Sequence, residues 1–230
     1  MPGHFTFYSN KINVDIAYFD ETEFKHAIQV LRYQQGDSIQ FTDGVGGIYT
    51  GTIHFVGKRE FTAEIQLRRQ VDPLPTVIVG LGILKSSDRM EWAVEKCTEL
   101  GVTEIWFLKT KNSERTHLNI DRMHKVALSA VKQSHGSYVP KIEVYGMEAA
   151  IHNVGGRFSS KYLAYCGEGS VIPVAECNIP CVFLIGPEGD FTDAELSLAI
   201  QHGFQGVGLG ASILRTETAA IAALATMRLK

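Results

Sequence analysis

Two prolines, Pro73 and Pro75, separate stretches of different hydrophobic period, and this change of rhythm limits the folds open to the chain. Before them, Ser38 to Thr42, Ile48 to Phe55 and Phe61 to Leu67 are short strand-like runs divided by turn residues. Asp43-Gly44-Val45-Gly46-Gly47 predicts a hairpin between the first two. Phe24, Ala27, Ile28 and Leu31 recur at helical spacing, which predicts a helix over Glu21 to Leu31. A small barrel is the closed form that such strands favour. Arg68 to Pro75 reads as a linker.

Beyond it, apolar runs at Thr76 to Leu81 and Ile105 to Leu108 predict buried strands. Between them Met90, Ala93, Val94 and Cys97 form a helical stripe, with Asp88 and Glu91 as its capping residues and Gly101 as its stop. A second helix is expected from Asn119 to Ser134. Further strands are expected at Ile142 to Tyr145, Tyr162 to Tyr165, Cys181 to Ile185 and Val207 to Leu209. The alternation predicts an α/β domain whose parallel sheet is covered by helices. The expected division is residues 1–72 and 73–230.

The formal net charge of -3 gives no whole-molecule attraction to a polyanion. The distribution is uneven, however. Ile105 to Lys141 holds seven basic residues against two acidic ones, whereas Ile142 to Lys230 holds five against nine. The basic stretch is either a phosphate-contacting face or an ordinary solvated helix surface. Cys97, Cys166, Cys177 and Cys181 show no disulfide framework, and Cys177 and Cys181 lack the further ligands of a metal site. They read as reduced, buried thiols of a soluble cytoplasmic protein without metal, since no secretory signal or membrane-length apolar run is present.

Chemistry concentrates near the C-terminus. Ile185-Gly186-Pro187-Glu188-Gly189 follows an apolar strand and precedes a helix marked by Thr192 and Glu195 at capping-box spacing. A loop at the C-terminal end of a parallel strand is a ligand position, although a tight turn that needs glycines would read the same way. Gly208-Leu209-Gly210-Ala211-Ser212 again follows a short strand and leads through Ile213-Leu214-Arg215-Thr216-Glu217-Thr218 into a small-residue helix. The two loops would flank one pocket if their strands are neighbours, with Leu209, Ile213 and Leu214 as apolar walls for an adenine ring. Arg215 is either an exposed charge or a functional donor, and Thr216 and Thr218 are possible helix caps. There is no phosphate-loop motif, and Gly80-Leu81-Gly82 lacks the third glycine of a dinucleotide fingerprint.

The paired signature Gly186-Pro187-Glu188-Gly189 with Phe191 and Glu195, then Leu209-Gly210 with Ile213 to Ala219, resembles the RsmE family of 16S rRNA uridine methyltransferases. That family is a branch of the SPOUT superfamily. Lys96, Glu99-Leu100-Gly101-Val102, Gln133-Ser134 and Val139-Pro140 are similar to family positions too. His26, Val30-Leu31-Arg32, Gly36-Asp37 and Asp43-Gly44 resemble its PUA-like RNA-binding β-barrel domain.

The resemblance implies a C-terminal SPOUT domain with a deep trefoil knot, a homodimer, and S-adenosyl-L-methionine touched by Ile185, Gly186, Glu188, Gly189, Leu209, Gly210, Ile213, Leu214 and Thr216. It implies methylation of uracil N3 of a uridine in the decoding region of 16S rRNA, on RNA or the small ribosomal subunit. Arg215 is the candidate catalytic residue. Arg32, Lys109, Lys111, Arg115, Arg122 and Lys125 are the candidate RNA-binding residues. The chain departs from the family pattern at Ser212, where an Arg is common, at Lys132-Gln133-Ser134-His135-Gly136, and at His4. Rival readings are a knotted enzyme acting on tRNA or a ribose 2'-hydroxyl, a non-catalytic RNA-binding assembly factor, and a small-molecule α/β enzyme.

Overall fold

The structure, a computed structural model, describes residues 5–113, 117–164 and 171–229. It divides into two compact units, Met1–Pro73 with Leu128–Val139, and Leu74–Ala127 with Pro140–Lys230.

In the first unit, strands β1 (Thr6–Tyr8), β2 (Lys11–Asn13), β3 (Ile16–Phe19), β4 (Ser38–Thr42), β5 (Gly47–Val56) and β6 (Phe61–Gln70) pair in the order β1-β4-β5-β6-β3-β2. Only the β1 to β4 pairing is parallel. Along β4 the alternation that marked a strand places Ile39 and Phe41 inside and Ser38 and Gln40 outside. The predicted hairpin forms. Asp43 accepts the Val45 and Gly47 amides at 2.9 and 2.8 Å, and Gly44 and Gly46 take the positive φ the turn requires. Phe7 on β1 and Phe61 on β6 have ring centroids 6.4 Å apart. Three strand spacings across a flat sheet would be about 14 Å, so the sheet curls around its aromatic core.

The helix expected over Glu21 to Leu31 divides into α1 (Glu21–Phe24), capped by Asp20, and a π-helical turn over Lys25–Val30. The Leu31 amide reaches the His26 carbonyl, and the His26 ring packs against Phe5 and Phe7. Burial and the Lys132 charge lower the His26 pKa against the pull of Glu23. Arg32 follows in the left-handed region at φ 62. β6 extends through Arg68 and Arg69, so the linker begins later than its composition suggested.

In the second unit, β7 (Val77–Gly82), β8 (Glu104–Lys109), β9 (Lys141–Gly146), β10 (Ser160–Ala164), β11 (Ile172–Pro173), β12 (Cys181–Ile185) and β13 (Gln205–Gly208) form a sheet in the order β11-β13-β10-β12-β7-β8-β9. Every pairing is parallel. β7 and β12 are buried along their whole length, the pattern of strands covered on both faces.

Among the described residues this unit holds α2 (Ser87–Glu99), α4 (Met147–Val154), α5 (Asp193–Gln201) and α6 (Thr216–Arg228), together with the first part of α3 (Ile120–Gln133). α4 and α5 bury Met147, Ile151 and Ala199 against Trp106, Leu163 and Leu184, while α2 packs on α6, which packs on β7 and β12. Ser86, not Asp88, caps α2, because its hydroxyl accepts the Arg89 amide. The boundary between the units falls within α3. Cys97 and Cys181 are buried, and burial pushes both thiols up to about 12; Cys177 is buried, and Cys166 lies outside the described residues. No described helix is long and apolar enough to cross a membrane.

In the first unit Lys132 Nζ lies 2.6 Å from Glu23 Oε1, with side-chain exposures of 18% and 4%. Breaking such a pair strands a buried charge, so Lys132→Met should destabilise the chain by about 3–5 kcal/mol. Adding Glu23→Gln should restore part of the loss in urea-unfolding curves.

Candidate active site

The carboxyl ends of β7, β12 and β13 lead into the candidate site. Ile185 at the end of β12 is buried, as are Gly186 and Pro187 after it, while Glu188 and Gly189 are exposed. The turn is tight. A Cβ on Gly186 would lie 2.7 Å from Asp190 Oδ1, and Asp190 itself has φ 56. At the end of β7, a Cβ on Gly82 would lie 2.3 Å from the Pro187 nitrogen, so the two strand ends pack backbone to backbone. Thr192 and Glu195 complete the predicted capping box of α5. Glu195 also accepts the Lys111 amide at 2.9 Å, and Asn112 donates to the carbonyls of Gly189 and Asp190 at 2.8 and 3.2 Å. The loop after β8 is thereby fastened to the loop after β12.

β12 and β13 are not neighbours, because β10 lies between them. Their loops are joined instead through the start of α6. Thr216 Oγ1 donates to the Gly186 carbonyl at 2.7 Å, and both residues are buried. Thr216 therefore ties two loops and caps nothing; Arg215 occupies the N-cap in extended conformation without a side-chain capping bond. Gly210 adopts φ 113, with open space where a Cβ would stand. Ile213 is 84% exposed, and Leu209 and Leu214 are half-buried.

A charged cluster secures the same corner. Arg89, in the first turn of α2, donates Nε and Nη2 to the two Glu217 oxygens at 2.8 and 2.6 Å and Nη1 to Glu188 at 2.8 Å. Burial alone would raise the Glu217 pKa, but the Arg89 hydrogen bonds, its own backbone amide and the charges of Arg89 and Arg215 together hold it below the ordinary carboxylate value.

A model of the RNA methyltransferase domain matches residues 72–228, and one of the RNA methyltransferase PUA domain matches residues 19–66. The ribosomal RNA small subunit methyltransferase E of Synechocystis is 32% identical over 219 residues, covering 87% of this chain and 69% of that protein. The same-named protein of Mesomycoplasma hyopneumoniae is 32% identical over 166 residues, covering 69% and 73%. The chain belongs to the ribosomal RNA small subunit methyltransferase E family. Within that family, the Neisseria gonorrhoeae protein, in a crystal structure bound to S-adenosyl methionine, superposes with a TM-score of 0.81 at 30% identity, over 98% of this chain and 97% of that one. A probable rRNA-methyltransferase from Porphyromonas gingivalis gives a TM-score of 0.88 at 30% identity, over 96% and 95%.

This methyltransferase E chain brings Ile185, Gly186, Glu188, Gly189 and Thr216 into one connected cluster with Arg89. Arg215 is exposed beside it, and Glu217, two residues further along, is held by Arg89. Among the RNA-binding candidates, Lys109, Lys111 and Lys125 are exposed, and no described side chain pairs with them. Arg122 forms a 2.6 Å ion pair with Glu91. Arg32 is exposed in the first unit, and Arg115 lies outside the described residues. No group of three or more metal-ligating side chains occurs among the described residues. Arg89 and Asn112 do not stand out in the sequence; an arginine on the first turn of an amphipathic helix carries no signal of its partners 99 and 128 residues away.

Thr216→Val removes a hydroxyl that satisfies a buried carbonyl and should cost about 1–3 kcal/mol in thermal unfolding. Because the Glu217 pKa is lower folded than unfolded, its contribution is present above the ordinary value of 4.5 and is lost as pH falls through the folded value. Glu217→Gln should therefore flatten the acid limb of the stability profile below about pH 4.5 relative to the unsubstituted chain.

Proposed function

We propose that the chain transfers a methyl group from S-adenosyl-L-methionine to uracil N3 of a uridine in the decoding region of 16S rRNA, on the small ribosomal subunit. One observation carries the reading: Thr216, Glu217, Glu188 and Arg89 join the ends of β12, α2 and α6 into one cluster at the carboxyl edge of a parallel sheet. The residues fit that cofactor. Leu209, Leu214 and the exposed Ile213 offer apolar walls, while the glycine-rich backbone and the N-terminus of α6, which has no side-chain cap, offer donors and acceptors. The trefoil knot and the homodimer belong to the same proposal, supported by the resemblance. So does the division of labour between a PUA-like RNA-binding domain at residues 1–72 and a methyltransferase domain at residues 73–230.

S-adenosyl-L-methionine, when bound, supplies an activated methyl sulfonium. The residues of the chain need only align the acceptor in line and favour its anion. Arg215, exposed at the α6 N-cap, is the donor we assign to the uracil oxygens: as the N3 proton leaves to solvent, its guanidinium stabilises the charge that develops there. Lys109, Lys111 and Lys125 hold the flanking phosphates, with Arg32 and Arg115 as further candidates. Arg122, committed to Glu91, contributes less.

Incubation with labelled S-adenosyl-L-methionine and either naked 16S rRNA or undermethylated small subunits should yield 3-methyluridine by mass spectrometry. A different methylated nucleoside, or none, would overturn the assignment. Arg215→Ala should lower turnover at saturating cofactor by about 100-fold. Replacing Lys109, Lys111 and Lys125 by Gln should reduce the slope of log affinity against log salt by about 0.7–0.9 for each phosphate no longer neutralised, while Arg122→Gln should change it little.

A further inference from the structure

We propose that Arg89 is the positioning residue of the cofactor site: by holding Glu188 and Glu217 on one guanidinium, it sets the loop after β12 against the start of α6. The proposal rests on reading this corner as the S-adenosyl-L-methionine site. Glu217 contributes a carboxylate that is 7% exposed, so it needs a charged partner at fixed geometry, and both its oxygens are taken by Nε and Nη2 of Arg89. The remaining edge of the guanidinium reaches outward through Nη1 to Glu188, which is 41% exposed and belongs to the loop itself.

Arg89 is fixed from behind, since its amide is bound by the Ser86 hydroxyl at the start of α2. A rigid planar fork between a buried anchor and an exposed carboxylate transmits the position of α6 to the Glu188 loop. Without it, the two carboxylates would face each other as like charges. Lysine cannot substitute. It offers a point charge on a flexible stem and cannot meet three acceptor oxygens in one plane. Arg89 acts through Glu188 and Glu217, and no contact of its own with the transferred methyl is needed.

Calorimetric titration with S-adenosyl-L-methionine and with S-adenosylhomocysteine tests this on the full chain, alongside melting temperatures and the KM for RNA. Arg89→Lys should weaken both ligands by about tenfold, the equivalent of one charge-assisted hydrogen bond, with the KM for RNA changed less than about twofold. Glu188→Gln, at an exposed position, should keep the melting temperature and still weaken both ligands. Adding it to Arg89→Lys should cost less than its effect alone, because both remove the same link. Affinities within about twofold of the unsubstituted chain in Glu188→Gln, or in a folded Arg89→Lys, would overturn the proposal while leaving the cofactor reading standing. If the unsubstituted chain itself bound neither ligand, the cofactor reading would fall and this proposal with it.

Discussion

The Gly186 carbonyl at the end of β12 is buried, and a buried carbonyl needs a donor. The Thr216 hydroxyl supplies one, and that requirement fixes where the last helix begins. Once Thr216 is seated, Arg215 falls at the N-cap and points its charge to the surface, and Glu217 falls one residue further on in a buried position. The Glu217 carboxylate in turn requires Arg89, whose spare edge engages the exposed Glu188. A single backbone acceptor thus determines the placement of a helix, an ion cluster and a loop.

The backbone architecture was readable because burial on both faces leaves a simple pattern. Cys181 to Ile185 is apolar at every position and lies at the centre of a parallel sheet, as expected for a strand covered by helices. The Thr192 and Glu195 capping box was likewise local, and local rules found it. Where the structure departs from expectation, the residue pattern carries no mark of the difference. The π-helical turn at Lys25–Val30 has ordinary helical spacing, and residues 128–133 of α3 have the same period as its first half although they group with the first unit. Strand order is equally silent in the chain: β10 separates β12 from β13, so the loops meet through Thr216 and not through adjacent strands.

The basic stretch shows why counting charges is a weaker guide than locating them. Arg122 contributes to the count but is paired with Glu91, a residue outside the stretch. Lys109 and Lys111 remain exposed, and Lys111 lies in a segment fastened through its amide to Glu195 and through Asn112 to the Gly189 and Asp190 carbonyls. The bonds that shape the loop after β12 therefore also fix where these cations stand. Cofactor and phosphate contacts would share one rigid support, an arrangement suited to a reaction whose demand is alignment.

The two arginines of the site illustrate opposite uses of one side chain. Arg89 is three-quarters buried, satisfied along both edges of its fork, and rigid; its charge is committed to carboxylates of the chain itself. Arg215 is exposed, forms no hydrogen bond or ion pair with a described side chain, acts on Glu217 through its charge, and stands where the helix macrodipole already favours an anion. A guanidinium already neutralised by two carboxylates has little left for a developing negative charge, whereas one that no carboxylate hydrogen-bonds retains more of its field. Because Arg89 takes both oxygens of Glu217, Arg215 acts on that carboxylate through its charge alone, and in the proposed reaction its guanidinium would be the one turned to the substrate.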